Sequence, residues 1–374
     1  MFKKFQLRYY NFRLVILILI TSTIGVLVIN SAKNSSFALK QAVGIGIGLV
    51  ILIIISLIDY KWILKYYWLM YIADIFLLIL VLVFGIPINF AKRWIDFGFV
   101  QIQPSEISKI FLILILAKVI SMYKNRLNTW KFLLVLGAFL SIPVALVYVE
   151  PNLSTTLLTC MIIFTVLYCA GLSYKIIGIM LLSIVVLIGA VAIDVQQKNP
   201  ILLQPYQVNR IMTFISPDES DATSAGKYQQ KYSVQAIGSG QLMGKGLNND
   251  DASSIKNGNY IAEAQTDFIF AVVGEELGFT GGCIVLILLA LIIFECILAA
   301  IRAKDFSGRL ICCGMAALVS FQTFINVGVA TQILPNTGLP LPFVSYGLSS
   351  LVALFGGMGV VINISMQRNS YDND

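Results

Sequence analysis

Apolar runs of about twenty residues recur along almost the whole chain, and this feature limits the possible folds more than any other. A run of that length crosses the hydrocarbon layer of a bilayer as a single helix. Ten spans are predicted: residues 14–31, 39–58, 66–86, 105–121, 132–149, 153–171, 175–193, 268–301, 310–333 and 346–366. The eighth run is longer and glycine-rich around Gly274, Gly278, Gly281 and Gly282, which predicts a broken or re-entrant helix there. The expected fold class is an all-α polytopic membrane protein forming one domain over residues 1–374. Only 12% of the residues are charged, against about 25% in soluble domains. The start of the chain, Lys3-Lys4 with Arg8 and Arg13, leads into an apolar run without a convincing cleavage site. That favours a first span over a removable signal.

An even number of spans places both termini on one side. Fifteen Lys and Arg fall on the N-terminal side and ten on the other, with Lys109 inside a span. Basic residues concentrate in cytoplasmic loops, so both termini are expected in the cytoplasm. Three loops then share the outer face: 87–104, the long polar stretch 195–267, and 334–345. The short basic inner loops need no function beyond setting orientation.

Water-facing chemistry has few places to occur, and the 195–267 stretch is the largest. The chain has no histidine, which removes imidazole relays, His-based metal sites and Ser-His-Asp triads. Acid–base work falls to Asp, Glu, Lys, Tyr or water. The six cysteines lie in apolar segments, so no disulfide framework holds the loop. Asp267, at the junction with the eighth span, has two compatible readings: a helix N-cap, or an acid presented at a helix mouth. Gly244-Lys245-Gly246 could cradle a phosphate on backbone N–H groups, or form a plain glycine turn.

Ionisable residues inside spans are costly and are usually paired or functional. Glu106 and Lys109 stand at i, i+3 and so face each other on one helix. They read either as a charged floor to an outward cavity or as a self-neutralising pair that locks packing. Asp74 and Glu295 are isolated in apolar runs and read as structural or interfacial. Glu150-Pro151-Asn152 marks an outer turn.

These motifs together resemble the shape, elongation, division and sporulation (SEDS) family. The resemblance rests on Ala91-Lys92-Arg93-Trp94-Ile95, Gln103-Pro104-Ser105-Glu106 with Lys109, and Pro205-Tyr206-Gln207 with Arg210. It continues through Ala236-Ile237-Gly238-Ser239-Gly240, Gly244-Lys245-Gly246, Thr266-Asp267-Phe268 and Glu275-Glu276-Leu277-Gly278. It closes on Leu334-Pro335, Pro340-Leu341-Pro342-Phe343 and Ser345-Tyr346-Gly347. Departures include Gln265 where the family often has His, and Glu150-Pro151-Asn152 where it has Gln-Pro-Asp.

The resemblance implies a peptidoglycan glycosyltransferase that polymerises lipid II at the outer face of the bacterial cytoplasmic membrane. The donor would be a glycan on undecaprenyl pyrophosphate, and the usual partner a class B penicillin-binding protein. Asp267 would be the essential acid, as base or as ligand to a Mg²⁺ or Mn²⁺ ion. Arg93, Trp94, Glu106, Lys109 and Arg210 would line the substrate cavity, with Lys245 a further candidate. Trp94 could stack on sugar or anchor at the interface. Neither an organic cofactor nor nucleic acid is expected. A lipid II flippase and a non-catalytic scaffold are the rival readings; the absence of a visible internal repeat weighs against transport.

Overall fold

In the computed structural model the described residues are 9–88, 91–96, 98, 101–195, 208, 225–249, 260–262 and 264–367. Long helices occupy all ten apolar segments. They are α1 (Phe12–Ala32), α2 (Ser35–Leu57), α3 (Tyr67–Phe84), α4 (Pro104–Met122), α5 (Trp130–Val149), α6 (Leu153–Cys169) and α7 (Tyr174–Val195). After the polar stretch come α9 (Ile269–Arg302), α10 (Phe306–Ala330) and α11 (Leu348–Met366). Lipid offers no partner for a backbone N–H or C=O, so apolar runs close their hydrogen bonds within the segment. Asparagines start several of them: Asn11, Asn34 and Asn152 each accept from a backbone N–H three residues on, at 3.1, 3.2 and 3.3 Å.

Among the described residues, seven helical segments are long and apolar enough to cross a membrane. The other three differ for local reasons. α4 carries Glu106, Lys109 and Lys118, α6 has only 17 residues, and α7 has its apolar described part in Tyr174–Ser183. The chain is a multi-pass helical membrane protein, and ten crossings remain the proposed count.

Two elements were not foreseen. The loop after α3 folds into a small antiparallel sheet of β1 (Ile86–Ile88), β2 (Ala91–Asp96) and β3 (Gln101–Ile102). Ile86 pairs with Trp94, and Ile95 with Ile102. The all-α fold class stands, and this sheet is a local addition to it, a hairpin too short to show a clear alternation. Within the polar stretch lies α8 (Ala225–Ser239), whose Gln230 and Ser233 are buried against α10.

α4 runs through the centre. Ile113, Ile115, Ala117 and Ile120 are at most 1% exposed, as are Leu310 and Ile311 on α10 and Phe355 on α11. α7 is the opposite: Tyr174, Leu182 and Val186 are exposed, as lipid-facing side chains are in a chain of this kind. Alternating direction gathers the described residues of the segments 85–103, 150–152, 260–268 and 331–347 at one end. The contacts between them, described next, confirm that shared end.

Candidate active site

The site is built around the break in α9. Gly278 has φ 68° and ψ −167°, which splits the helix into residues 269–277 and 279–302. A side chain is disfavoured in that region, so glycine is what allows the break. Breaking a helix orphans N–H and C=O groups on both sides. The segment after α8 satisfies them. Phe279 and Thr280 donate to the carbonyls of Gln241 and Leu242 at 2.8 and 3.2 Å. Lys245 and Gly246 donate to the carbonyls of Glu275 and Glu276 at 3.0 and 2.9 Å. The Lys245 ammonium also meets Glu275 at 2.8 Å. Ser31 at the end of α1 donates to Glu276 and accepts from the Asn248 N–H.

This docking revises the Gly-Lys-Gly reading. The backbone donors of Lys245 and Gly246 are spent on carbonyls of the broken helix and the ammonium on Glu275, so Lys245 holds the loop to that helix.

The helix that carries Glu275 starts at Ile269 with Phe268 at its N-cap. Asp267 therefore precedes the cap rather than forming it. Its backbone carbonyl accepts from Asn326 of α10 at 2.8 Å. Asn326 also donates to Leu339 at 2.7 Å, and Gln322, one turn earlier, donates to Pro340 at 2.9 Å. Ser345 donates to Thr266 at 2.6 Å, and the Tyr346 N–H to Gln265 at 2.9 Å. The 334–345 loop is thereby laid along residues 265–267. Gly338, at φ 73°, faces the Asp267 carboxylate: a Cβ there would sit 3.3 Å from Oδ2. The partly buried Asp267 side chain thus lies against the turn around Gly338.

A second set of contacts brings Arg93 to the same end. From β2 its guanidinium donates to the carbonyls of Glu150, at 3.3 Å, and of Pro151. Four residues past Glu150, Ser154 donates to the Thr337 carbonyl at 2.6 Å. The turn 150–154 therefore bridges Arg93 and the loop that borders Asp267. Trp94, next to Arg93 on β2, is half-buried and points to the opposite face of the strand.

On α4, Glu106 and Lys109 form an ion pair at 2.8 Å with 4% and 2% exposure. Asp74 of α3 accepts from Ser108 at 3.1 Å, and Glu295 of α9 accepts from Asn11 at 2.9 Å. Glu150 is fully buried, and neither carboxylate oxygen has a hydrogen-bond partner among the described residues. Arg210 lies outside the described residues. Among the described residues no group of three His, Cys, Asp or Glu can hold a metal ion.

The cell cycle protein family of FtsW, RodA and SpoVE matches residues 6–370. The chain belongs to this family. Stage V sporulation protein E of Bacillus subtilis (strain 168) is 33% identical, with 94% of this chain and 96% of that protein covered. Peptidoglycan glycosyltransferase MrdB of Escherichia coli (strain K12) is 36% identical over 91% of this chain and 90% of its own length.

Among solved structures, a chain from a study of a peptidoglycan synthase complex coordinating polymerisation and crosslinking matches with TM-score 0.80 and 28% identity. It covers 96% of this chain and 99% of that one. The rod shape determining protein RodA of Thermus thermophilus matches with TM-score 0.70 and 27% identity over 96% and 97%. The FtsW/RodA/SpoVE fold thus extends along nearly the whole chain.

Asn326 and Gln322 position the site and were not singled out from the sequence, and Ser345 was read only as part of a motif. Gln322 and Asn326, one turn apart in an apolar helix, were the available signal.

Proposed function

We propose that this chain is a peptidoglycan glycosyltransferase that polymerises lipid II at the outer face of the bacterial cytoplasmic membrane. Both termini are then cytoplasmic, and the end that carries Asp267 and Arg93 faces outward. The observation that carries the reading is the convergence of Asp267, Gly338, the 150–154 turn and Arg93 at one end of a chain from this family. Orientation follows from the excess of basic residues in the opposite loops.

The reaction transfers a glycan from undecaprenyl pyrophosphate to the GlcNAc 4-hydroxyl of lipid II. An α-linked donor becomes a β-1,4 product, so one displacement with inversion suffices. Asp267 takes the proton of the attacking hydroxyl. The departing pyrophosphate gathers negative charge that a fixed cation stabilises most as the bond breaks. Arg93 suits this because a guanidinium presents two parallel donors to phosphate oxygens. Glu106 and Lys109 form a floor of no net charge, Trp94 flanks the sugars, and Arg210 adds a second guanidinium.

In the alternative role Asp267 would hold a Mg²⁺ or Mn²⁺ ion instead of acting as the base, since such ions take carboxylate and phosphate oxygens as ligands. When bound, it would neutralise charge on the leaving group. A class B penicillin-binding protein is the partner that would crosslink the strands. The similarity to a chain of a peptidoglycan synthase complex supports that pairing.

The test is polymerisation of purified lipid II by the detergent-solubilised protein, with and without such a partner. Asp267→Ala should remain folded and lose activity by about 10²-fold or more, the scale of a lost general base. Glycan strands made at the wild-type rate by folded Asp267→Ala would refute the assignment.

A further inference from the structure

Glu150 is a titratable group at this end whose chemistry the mechanism leaves unused. It stands in the turn just beyond α5, with 0% exposure and no hydrogen-bond partner for either carboxylate oxygen among the described residues. A buried carboxylate in that state is a costly arrangement unless it is neutral. Its own backbone carbonyl, and that of Pro151, receive the Arg93 guanidinium.

We propose that Glu150 is a positioning residue whose protonation state sets how Arg93 is presented to the pyrophosphate of the substrate. The inference rests on the reading that Arg93 serves that group. While Glu150 is neutral, the guanidinium lies on two backbone carbonyls that carry no net charge. Its positive charge then acts on the leaving group. When Glu150 ionises, the turn that receives Arg93 gains a negative charge, which competes with the pyrophosphate for the same cation.

The charged groups acting on Glu150 are Arg93 from β2, which favours the carboxylate, and Asp74 from α3, which disfavours it. Asp74 is held by Ser108 of α4. The other α4 charges, Glu106 and Lys109, face each other. The α6 side of the turn presents Asn152, Ser154 and Thr155, none of which titrates. Burial is the largest influence and pushes Glu150 from an ordinary value of 4.5 up to about 8. The sign follows: the fold favours the neutral acid. That contribution is complete below about pH 4.5 and is lost as pH rises through about 8.

The experiment compares pH profiles of lipid II polymerisation by the wild type, Glu150→Gln and Arg93→Ala. A carboxamide keeps the shape of the neutral acid and cannot ionise. The wild type should lose kcat/KM above about pH 8, approaching tenfold per pH unit. Glu150→Gln should lack that alkaline fall. The same alkaline fall in wild type and Glu150→Gln, with Arg93→Ala inactive, would overturn the role of Glu150 alone. An Arg93→Ala variant as active as wild type would instead overturn the reading on which it rests.

Should Glu150→Gln fail to fold, infrared spectroscopy of Asp74→Asn protein decides the matter. A protonated carboxyl band present at pH 7, lost above pH 9 and absent from Asp74→Asn/Glu150→Asp at the same frequency supports the proposal. No such band at pH 7 overturns it.

Discussion

Two ion pairs among the described residues are made in opposite ways. Glu106–Lys109 lies within one helix, three residues apart, with both partners almost wholly buried. Lys245–Glu275 joins residues thirty apart, across the junction of a loop and a broken helix, with Lys245 20% exposed. The first is set by helical geometry alone and persists wherever α4 is a helix. The second exists only because Gly278 opens α9 and the chain after α8 fills the gap. The difference separates charge that must be neutralised for insertion and packing from charge that fastens a loop beside Asp267.

The sharpest way to break the comparison is to remove one partner from each pair. Lys109→Met leaves Glu106 buried and alone, a change on the scale of 3–5 kcal/mol, roughly. The expected result is a large loss of folded, monodisperse protein, with recovery in the Glu106→Gln/Lys109→Met double variant. Equal yields for the single and double variants would show that the pair is not coupled.

Gly278→Ala should come next. A Cβ there would meet the Gly244 nitrogen at 2.3 Å, and φ 68° is unfavourable for alanine. Strain of this kind costs about 1–3 kcal/mol before any clash. The undocked loop should show as faster hydrogen exchange at residues 241–246, with lower polymerisation. Unaltered exchange there would show that the break does not need glycine.

Lys245→Ala should have the smallest effect, about 1 kcal/mol, because the lysine is partly in water and four backbone hydrogen bonds still hold the loop. Thermal stability in detergent should fall slightly, and activity should drop a few-fold. If Lys245→Ala instead abolished polymerisation while leaving exchange in 241–246 unchanged, Lys245 would belong with the substrate.

Gly338→Ala probes the same end from the other side. A methyl group 3.3 Å from the Asp267 carboxylate, at a φ that disfavours alanine, should reduce kcat more than thermal stability. An equal fall in both would place the effect in folding.

Much of this was legible in the chain itself. The apolar runs located the long helices to within a few residues, because a segment in lipid must satisfy its own backbone. The i, i+3 spacing of Glu106 and Lys109 gave their pairing. The glycines around residue 278 gave the break. The small sheet and α8 escaped, since short strands and a polar helix have little periodicity to read and are held by neighbours distant in sequence.

The sequence by itself determined a multi-pass helical protein, the interruption of its eighth apolar run and the family to which it belongs, because these depend on local composition, spacing and motif. Only the tertiary structure decided that Arg93 rests on the 150–151 carbonyls, that Ser154 ties that turn to Thr337, and that Gly338 borders Asp267. Those contacts join residues far apart in the chain, and what selects them is the need of each buried polar group for a partner once the helices have packed.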